Sequence, residues 1–294
     1  MGVPDRFQRL LARIQPTDTD HRAVKRHLDA IASRLNKSFT VKNFLVTGSY
    51  ERGSSIHGHS DTDLFVVIAR EDVLWGRRHM TSHTILEQFR QDLMGRYTDP
   101  ATLVRKDVHC ITITFRDAKV DVVPAYFSRF AVLGGKNWPL FMMPDGYGGW
   151  KETSPSRHNA YISEADKRSG GKLKYTAQLI KHWRYTRTVP VPVSSFHTEL
   201  LMASGGHCDG VKGYATCLRD VFRDLAARGC RGLQDPVGIS GVIQCSRTEP
   251  QRSSAWNTAA YSRDHAVSAV AAEYTSIPEA VRQWKIVFNQ DFPA

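Results

Sequence analysis

Two aspartates stand at the head of an apolar, strand-like stretch of the chain. Asp61 and Asp63 open a run that continues as Leu-Phe-Val-Val-Ile to residue 68. In a strand, residues two apart point to the same face, so the two carboxylates project side by side. Like charges held that close are unfavourable unless a cation compensates them. The pattern therefore predicts a strand that begins at a metal site, with oxygen ligands suited to Mg²⁺.

A third carboxylate interrupts another apolar run. Asp121 lies within Val120–Val123, where an uncompensated charge is unfavourable, and Pro124 is expected to end this strand. A strand over residues 108–115 precedes it. If the Asp121 strand lies beside the first one, the three carboxylates can hold two ions roughly 4 Å apart, Mg²⁺ or alternatively Mn²⁺. Each aspartate alone fits a solvated strand end, but the joint pattern favours a two-metal site.

A Gly-Ser pair supplies the complementary feature. Gly48 and Ser49 end the apolar stretch that precedes the two aspartates. Glycine lets the backbone approach a phosphate closely, and the following turn presents N–H groups and the serine hydroxyl to an anion. We therefore expect Gly48 and Ser49 to contact a phosphate-bearing substrate.

The hydrophobic pattern predicts an α+β protein with two lobes. Residues 1–150 are expected to form a catalytic lobe with a small mixed sheet and the N-terminal helices, and residues 151–294 a mainly helical lobe. Residues 134–158, rich in Gly, Pro and Trp, are expected to form a connecting loop. Predicted helices of the second lobe cover 173–185, a segment from 194 onward, 211–227, 255–272 and 277–288.

The composition limits the classes of partner and the cellular compartment that we expect for this chain. Forty Lys and Arg against twenty-nine Asp and Glu give a net charge of +11, which suits an anionic partner, either nucleic acid or a triphosphate. Neither a membrane-spanning run nor a secretory signal is recognisable, so we expect a cytoplasmic protein without membrane contact. Five cysteines without paired spacing indicate free thiols in a reducing compartment rather than a disulfide framework or a zinc site.

The motifs resemble a known superfamily. The run GSYERGSSIHGHSDTDLFVVI and the later VDVVPAY are similar to polymerase-β-type nucleotidyltransferases. More narrowly they resemble the CD-NTases of bacterial anti-phage signalling (CBASS), which are related to cyclic GMP-AMP synthase (cGAS). The segments WKETSP and SSFHTE and the Lys-rich helix 172–185 extend the resemblance into the second lobe. It implies an active site in the cleft, with the three aspartates as metal ligands and Ser49 on the donor triphosphate.

The resemblance also implies residues of the helical lobe that bind nucleotide. A lysine and a serine contact the phosphates and an aromatic ring stacks on a base in this family, and Ser195 and Phe196 fit the last two roles. Phe196 replaces the more familiar tyrosine and lacks its hydroxyl. Lys174 and Lys181 are seven residues apart on one helical face, and both stay candidates for the phosphate ligand.

The implied activity is successive phosphodiester formation. A monomer would join nucleoside triphosphates into a cyclic di- or trinucleotide second messenger, with the bases and linkage left open. One alternative is a linear oligonucleotide synthase or RNA-tailing enzyme with the same aspartates. Another, argued from charge alone, is a non-catalytic nucleic-acid-binding module. In some relatives a C-terminal tail is joined to a target by a ubiquitin-like ligation system, so residues 289–294, expected to be frayed, are the candidate contact for such a partner.

Overall fold

Residues 2–59, 61–76 and 78–294 are described by the computed structural model, and the chain divides into two units. The sheet unit comprises residues 16–159, and the helical unit comprises residues 1–15 and 160–294. In chain order the elements up to residue 153 are α1 (Val3–Ile14), α2 (Asp18–Ser38), β1 (Val41–Thr47), α3 (Gly48–Glu51), β2 (Thr62–Ile68), a 3₁₀ helix (Arg70–Val73), β3 (Leu74–Trp75), β4 (Arg78–His79), α4 (Ser82–Arg96), β5 (Leu103–Lys106), β6 (Ile111–Thr114), β7 (Lys119–Leu133), β8 (Lys136–Pro144) and β9 (Trp150–Thr153). The later elements are α5 (Pro155–Arg168), α6 (Lys172–Tyr185), α7 (Ser195–Gly205), α8 (Tyr214–Ala227), β10 (Leu233–Gln234), β11 (Val242–Ile243), α9 (Glu249–Ala272) and α10 (Ile277–Val287).

The sheet unit is built on a mixed sheet. Its seven strands, counted over the residues described, include the order β1-β2-β7-β6-β5. β2 and β7 run parallel, whereas the other neighbouring strands run antiparallel. Beyond the segment that pairs with β6, β7 continues and pairs with β8, which in turn pairs with β9. β7 therefore connects the two parts of the sheet.

Both faces of the central strands are covered. Leu64, Val66 and Ile68 of β2 lie in a core that includes apolar residues of α2 and α4. The alternate positions contribute to a smaller cluster on the opposite face, formed by Phe65, Val67, Cys110, Val123, Ala125 and Phe141. A strand that is buried on both faces needs a continuous apolar run, as observed after Asp63, rather than strict alternation.

The helical unit has an aromatic core around α1. Phe7 is 1% exposed, and its ring centroid lies 5.1 Å from that of Trp284 in α10. On α9, Ala255, Ala259 and Ala266 are fully buried, and small residues of this kind let neighbouring helices approach closely. Among the described residues, no helix combines the length and the apolar character that a membrane span requires.

The division of the chain differs from the predicted boundary at residue 150. α1 belongs to the helical unit, because its apolar face packs against α6, α8 and α10. The sheet unit extends to residue 159, because β9 is its last strand and Trp150 at the start of β9 is fixed in place. The indole Nε1 of Trp150 donates a hydrogen bond to the Met80 carbonyl at 3.0 Å.

Pro124 does not end its strand, so that prediction is wrong. β7 runs from Lys119 to Leu133 through the proline. The last pair of β7 with β6 is at Val122, and its first pair with β8 is at Tyr126. Pro124 lies in the interval between them, where one side of β7 has no strand to which a backbone N–H would donate. The missing donor is therefore tolerated.

The predicted connecting loop over residues 134–158 is also wrong. It contains β8 and β9, which extend the sheet. Pro139 pairs with Phe130 of β7, but β9 pairs only with residues 141–144, so the other side of β8 is open at Pro139. Proline is tolerated on the open side of a strand, which is where Pro139 lies. Because proline is generally disfavoured in strands, the sequence pattern predicts a loop here instead of β8.

Residues 289–294 are docked rather than frayed. Phe292 is 3% exposed, and its ring centroid lies 4.9 Å from that of Phe7. Asp291 forms an ion pair with Arg13 at 2.5 Å. An aromatic anchor and a charge pair on α1 therefore hold the segment, and the expectation of a frayed end is wrong. A ligation-system partner for this segment stays a prediction.

Candidate active site

The strands that carry the predicted metal ligands are neighbours. Asp63 in β2 lies directly beside Asp121 in β7, in parallel register. Neighbouring strands are roughly 4.8 Å apart, so the two carboxylates lie close together on one face of the sheet. Phe65 and Val123, two residues further along each strand, pack together on that face. The strand pairing on which Asp121 depends is therefore confirmed.

Asp61 lies just before β2 and has a basic neighbour. Its Oδ2 accepts a hydrogen bond from Lys119 Nζ at 2.9 Å, and both side chains are more than one-third exposed. Among the described residues, no three carboxylate, imidazole or thiol side chains are arranged to hold one ion. Coordination of metal by all three aspartates therefore stays a prediction.

The charge on Asp121 is poorly compensated. Burial raises the pKa of Asp121, and the nearby charge of Asp61 raises it further. A hydrogen bond from Thr112 Oγ1 to Asp121 Oδ1, 2.6 Å long, acts in the opposite direction. Burial also raises the pKa of the adjacent Cys110 thiol, which stays neutral and adds no charge. An acidic group with a raised pKa beside other carboxylates is a site that favours a bound cation.

The donor set fits Mg²⁺ or Mn²⁺. Mg²⁺ in nucleotide enzymes is held by one or two carboxylates, with waters and substrate phosphates completing an octahedral shell. Asp63 and Asp121 meet that requirement from two strands whose register fixes their separation. The hydrogen bond with Lys119 uses only one carboxylate oxygen of Asp61.

Gly48 is placed against this acidic pair. Thr47 at the end of β1 pairs with Asp63, and Gly48 follows with φ +72°. A Cβ atom on Gly48 would lie 1.8 Å from Asp63 Oδ2, so any larger residue would force the Asp63 side chain to move. Ser49, the next residue, is buried, and its carbonyl accepts a hydrogen bond from the Ser54 N–H at 2.9 Å. The structure thus brings the Gly-Ser turn and the aspartates together.

In the helical unit, two of the predicted nucleotide-binding residues meet. Lys181 of α6 and Ser195 of α7 line one small pocket, together with Glu199. Lys181 is 6% exposed and Glu199 is 2% exposed. Ser195 is placed by the capping of α7, because the Ser194 hydroxyl accepts a hydrogen bond from the His197 N–H at 3.3 Å.

Lys174 and Phe196 do not line this pocket. The Lys174 ammonium lies over the Tyr175 ring, 4.8 Å from its centroid. Phe196 is the second residue of α7 and is partly buried. The two lysines that the sequence leaves equivalent are thus in different surroundings, and only Lys181 shares its pocket with Ser195.

Comparison with known proteins identifies the family. The family of Second Messenger Oligonucleotide or Dinucleotide Synthetase domains (SMODS) matches residues 1–166, more than half of the chain. The chain belongs to this family. It is 22% identical to a probable cyclic nucleotide synthase of Bacillus cereus, over 90% of this chain and 86% of that protein.

Solved structures with low sequence identity share the fold of this SMODS chain. CdnC of E. coli MS115-1, solved with ATP, matches with a TM-score of 0.69 and 18% identity over 99% of this chain and 98% of that chain. DncV of Vibrio cholerae, a cyclic AMP-GMP synthase solved with nonhydrolyzable GTP, matches with a TM-score of 0.61 and 16% identity over 85% of this chain and 69% of that chain. The predicted polymerase-β-like α+β fold with two lobes is confirmed, and so is the cGAS-like family. The SMODS chain is an enzyme, a nucleotidyltransferase.

Two polar neighbours of the SMODS aspartates are absent from the residues predicted from the sequence. Lys119 and Thr112 contact Asp61 and Asp121, respectively. The sequence contains a signal that could identify each of them. Lys119 precedes Asp121 by two residues and so shares its face, and a tight turn after residue 115 sets an antiparallel register that pairs Thr112 with Asp121.

Proposed function

We propose that this SMODS enzyme condenses nucleoside triphosphates into a cyclic di- or trinucleotide and releases pyrophosphate with each bond. The observation that carries the proposal is the register pair of Asp63 and Asp121, with the Gly48 backbone directly against Asp63. Ligands for a divalent ion and a close backbone approach for a phosphate lie side by side there. The names of the relatives, and the ATP and GTP analogue in the solved structures, support triphosphate substrates and a cyclic product.

Asp61, Asp63 and Asp121 would hold two divalent ions. Such ions lower the pKa of an attacking hydroxyl and neutralise the charge that develops on leaving pyrophosphate. The pairing of β2 with β7 fixes the backbone positions of Asp63 and Asp121 before any substrate binds.

The bond changes follow from the substrates. The 2′- or 3′-hydroxyl oxygen of one nucleotide bonds to the α-phosphorus of another, and the bond from that phosphorus to the pyrophosphate oxygen breaks. The hydroxyl proton passes to a carboxylate of the site, and Asp121, beside Asp63 in the strand register, is the candidate acceptor. The last transfer, the second for a cyclic dinucleotide and the third for a trinucleotide, joins the free hydroxyl to the remaining α-phosphate, releases pyrophosphate and closes the ring.

The helical unit would supply phosphate and base contacts. Lys181 and Ser195 stay the candidate phosphate ligands because they lie together, whereas the Lys174 ammonium lies over the Tyr175 ring. A lysine ammonium and a serine hydroxyl both donate hydrogen bonds to phosphate oxygens. Phe196 would stack on a base, which requires only its ring.

Labelled nucleoside triphosphates with Mg²⁺ test the assignment. Asp61→Asn and Asp63→Asn, singly and together, should lower product formation by at least about a thousandfold. Asp117→Asn is the matched control, because Asp117 is a partly exposed carboxylate paired with Arg26 and His27. A phosphatase-resistant product identified by mass spectrometry supports the cyclase. Undiminished product in the double variant contradicts the assignment.

The alternative of an RNA-tailing enzyme predicts that the reaction requires an added RNA acceptor. An RNA-tailing enzyme with the same aspartates would extend an added RNA and leave a phosphatase-sensitive end. Product formation that depends on added RNA would therefore favour an RNA-tailing enzyme over the cyclase. The site geometry itself is common to both reactions.

We further propose a cytoplasmic role in anti-phage signalling. Cells carrying the gene with its genomic neighbours should resist infection, and Asp63→Asn should abolish the resistance in a plaque assay. Resistance that persists in the Asp63→Asn strain would show that the proposed catalytic activity is not required for defence.

A further inference from the structure

A pocket with a volume of about 640 Å³ lies in the helical unit, where the end of α8 meets the start of α9. Arg228, Arg231, Arg252 and Trp256 line it, together with backbone at glycine and alanine positions. Pockets that hold small ligands have volumes of roughly 300–1,000 Å³, so the space suits a molecule of nucleotide size. None of its residues belongs to the catalytic set proposed above.

Two of the lining side chains are fixed by backbone contacts. Trp256 Nε1 donates to the Ala226 carbonyl at 3.0 Å, and Arg252 Nη1 donates to the Gly229 carbonyl at 2.8 Å. Arg252 and Trp256 are four residues apart on α9, so they lie on one side of the helix. Trp256 is still 43% exposed. Trp256 is thus held in place by its N–H while part of the residue stays open to solvent, so little side-chain ordering is required on binding.

The loop after α8 brings two more arginines to the pocket. Gly229 has φ +61° and Cys230 has φ +49°, a left-handed conformation that is uncommon for a residue with a side chain. Cys230 is 1% exposed, so burial of its side chain anchors the bend. Arg228 and Arg231 flank this anchored bend and line the opening.

The local charge remains positive. Arg228 Nε bonds to Asp224 Oδ1 at 2.6 Å, and Arg252 forms an ion pair with Glu249. Hydrogen bonds from Arg252 hold the pKa of Glu249 below its ordinary value, and the charge of the exposed Arg231 lowers that pKa further. Three arginines thus face two carboxylates, neither of which lines the pocket.

We infer that this pocket binds a free nucleotide, with its base on the Trp256 ring and its phosphates on Arg228 and Arg231. Guanidinium groups form paired hydrogen bonds with phosphate oxygens, and an exposed indole stacks on a base. Nucleoside phosphates are the ligand class that combines a planar ring with several negative charges. The pocket shares no residue with the proposed catalytic set, and the inference does not depend on that assignment.

Equilibrium dialysis tests the pocket apart from catalysis. The full chain carrying Asp63→Asn and Asp121→Asn, in EDTA, is titrated with labelled ATP or GTP. Arg231→Glu should weaken binding by about tenfold or more, because a phosphate contact becomes a repulsion. Trp256→Ala should weaken it several-fold, and Trp256→Phe, which keeps a ring, should weaken it less. Arg263→Glu, on the same helix and paired with Asp264, is the control and should change affinity by less than about twofold.

Competition identifies the ligand class. Unlabelled ATP, GTP or the purified oligonucleotide product should displace the label, whereas adenosine and inorganic triphosphate should each compete weakly. Equal affinity of all variants, or adenosine as strong as ATP, overturns the proposal. A single-stranded oligonucleotide that binds more tightly than ATP also overturns it and indicates a nucleic-acid groove. Because catalysis is disabled throughout, these results stand whether or not the proposed reaction is correct.

Discussion

Two sets of ionisable residues are removed from water to different degrees. One set is Asp63 and Asp121 on the sheet, and the other is Lys181 and Glu199 in the helical unit. The aspartates carry like charges and are placed by the pairing of β2 with β7. The other two residues carry opposite charges in one pocket and are almost fully buried. One set is held together by backbone register against electrostatic repulsion, whereas the other brings opposite charges to the lining of one pocket, together with Arg184.

The difference shows how the arrangement of buried charges determines their effect on stability. A repulsive carboxylate pair lowers the stability of the fold and is useful only when a cation binds. Opposite charges in a buried pocket depend on one another, because removal of one leaves the other uncompensated in a medium of low dielectric. Substitutions in the two sets should therefore change stability in opposite directions.

The largest effect is expected at Gly48, where the backbone and the carboxylate pair meet. Gly48→Ala places a Cβ 1.8 Å from Asp63 Oδ2 at a φ of +72°. We expect a loss of about 3 kcal/mol in the free energy of unfolding, from the positive φ and the overlap together. Urea denaturation of Gly48→Ala and of Gly48→Ala/Asp63→Ala measures it. The double variant removes the overlap, so it should recover part of the loss; no recovery would show that the contact with Asp63 is unimportant.

The next effect concerns Lys181. Lys181→Met keeps the apolar stem but removes one of the two basic side chains, with Arg184, that line the pocket beside the buried Glu199. This loss should lower the free energy of unfolding by about 2 kcal/mol. Lys174→Met is the matched control on the same helix and should change stability by less than about 0.5 kcal/mol. In Lys181→Met/Glu199→Gln, more than half of the loss should return. Equal losses of stability in Lys181→Met and Lys174→Met would contradict the claim that the two lysines lie in different surroundings.

A smaller effect of opposite sign is expected at Asp121. Asp121→Asn keeps an acceptor for Thr112 Oγ1 but removes the buried charge, so it should raise the free energy of unfolding by about 1 kcal/mol at neutral pH while abolishing activity. Burial raises the pKa of Asp121 in the folded state above its ordinary value of 3.8.

The sign of the pH dependence follows. Above the raised pKa the folded protein bears the full unfavourable charge, and below pH 3.8 the aspartate is protonated in both states. The stability advantage of Asp121→Asn over the wild type should therefore shrink as pH falls through the raised pKa toward 3.8. A difference that is constant with pH would contradict a charge-based origin.

The sequence predicts the aspartate pair better than it predicts the strands around it. Asp63 follows from period-two geometry within a strand, and Asp121 from a charge inside an apolar run. The length of β7 and the existence of β8 do not follow, because Pro124 and Pro139 are tolerated only where one side of a strand lacks a partner. Which sides are open is set by tertiary pairing, which local sequence does not encode.

Residues of the helical unit are harder to predict for a related reason. Lys174 and Lys181 share a helical face, but their different burial depends on α7 and on the packing around α6. The docking of Phe292 depends on Phe7, which is 285 residues earlier in the chain. Contacts between residues so distant in sequence leave no periodic signal in either segment.

The most direct test of the central claim is the thermal stability of the protein as Mn²⁺ is added without nucleotide. If Asp63 and Asp121 form an under-compensated cation site, Mn²⁺ should raise the Tm of the wild type by several degrees at saturating concentration. Asp63→Asn/Asp121→Asn should show almost none of this increase, and Asp117→Asn should respond as the wild type does. An equal rise in Tm for the double variant and the wild type would contradict the account, because the ion would then bind elsewhere.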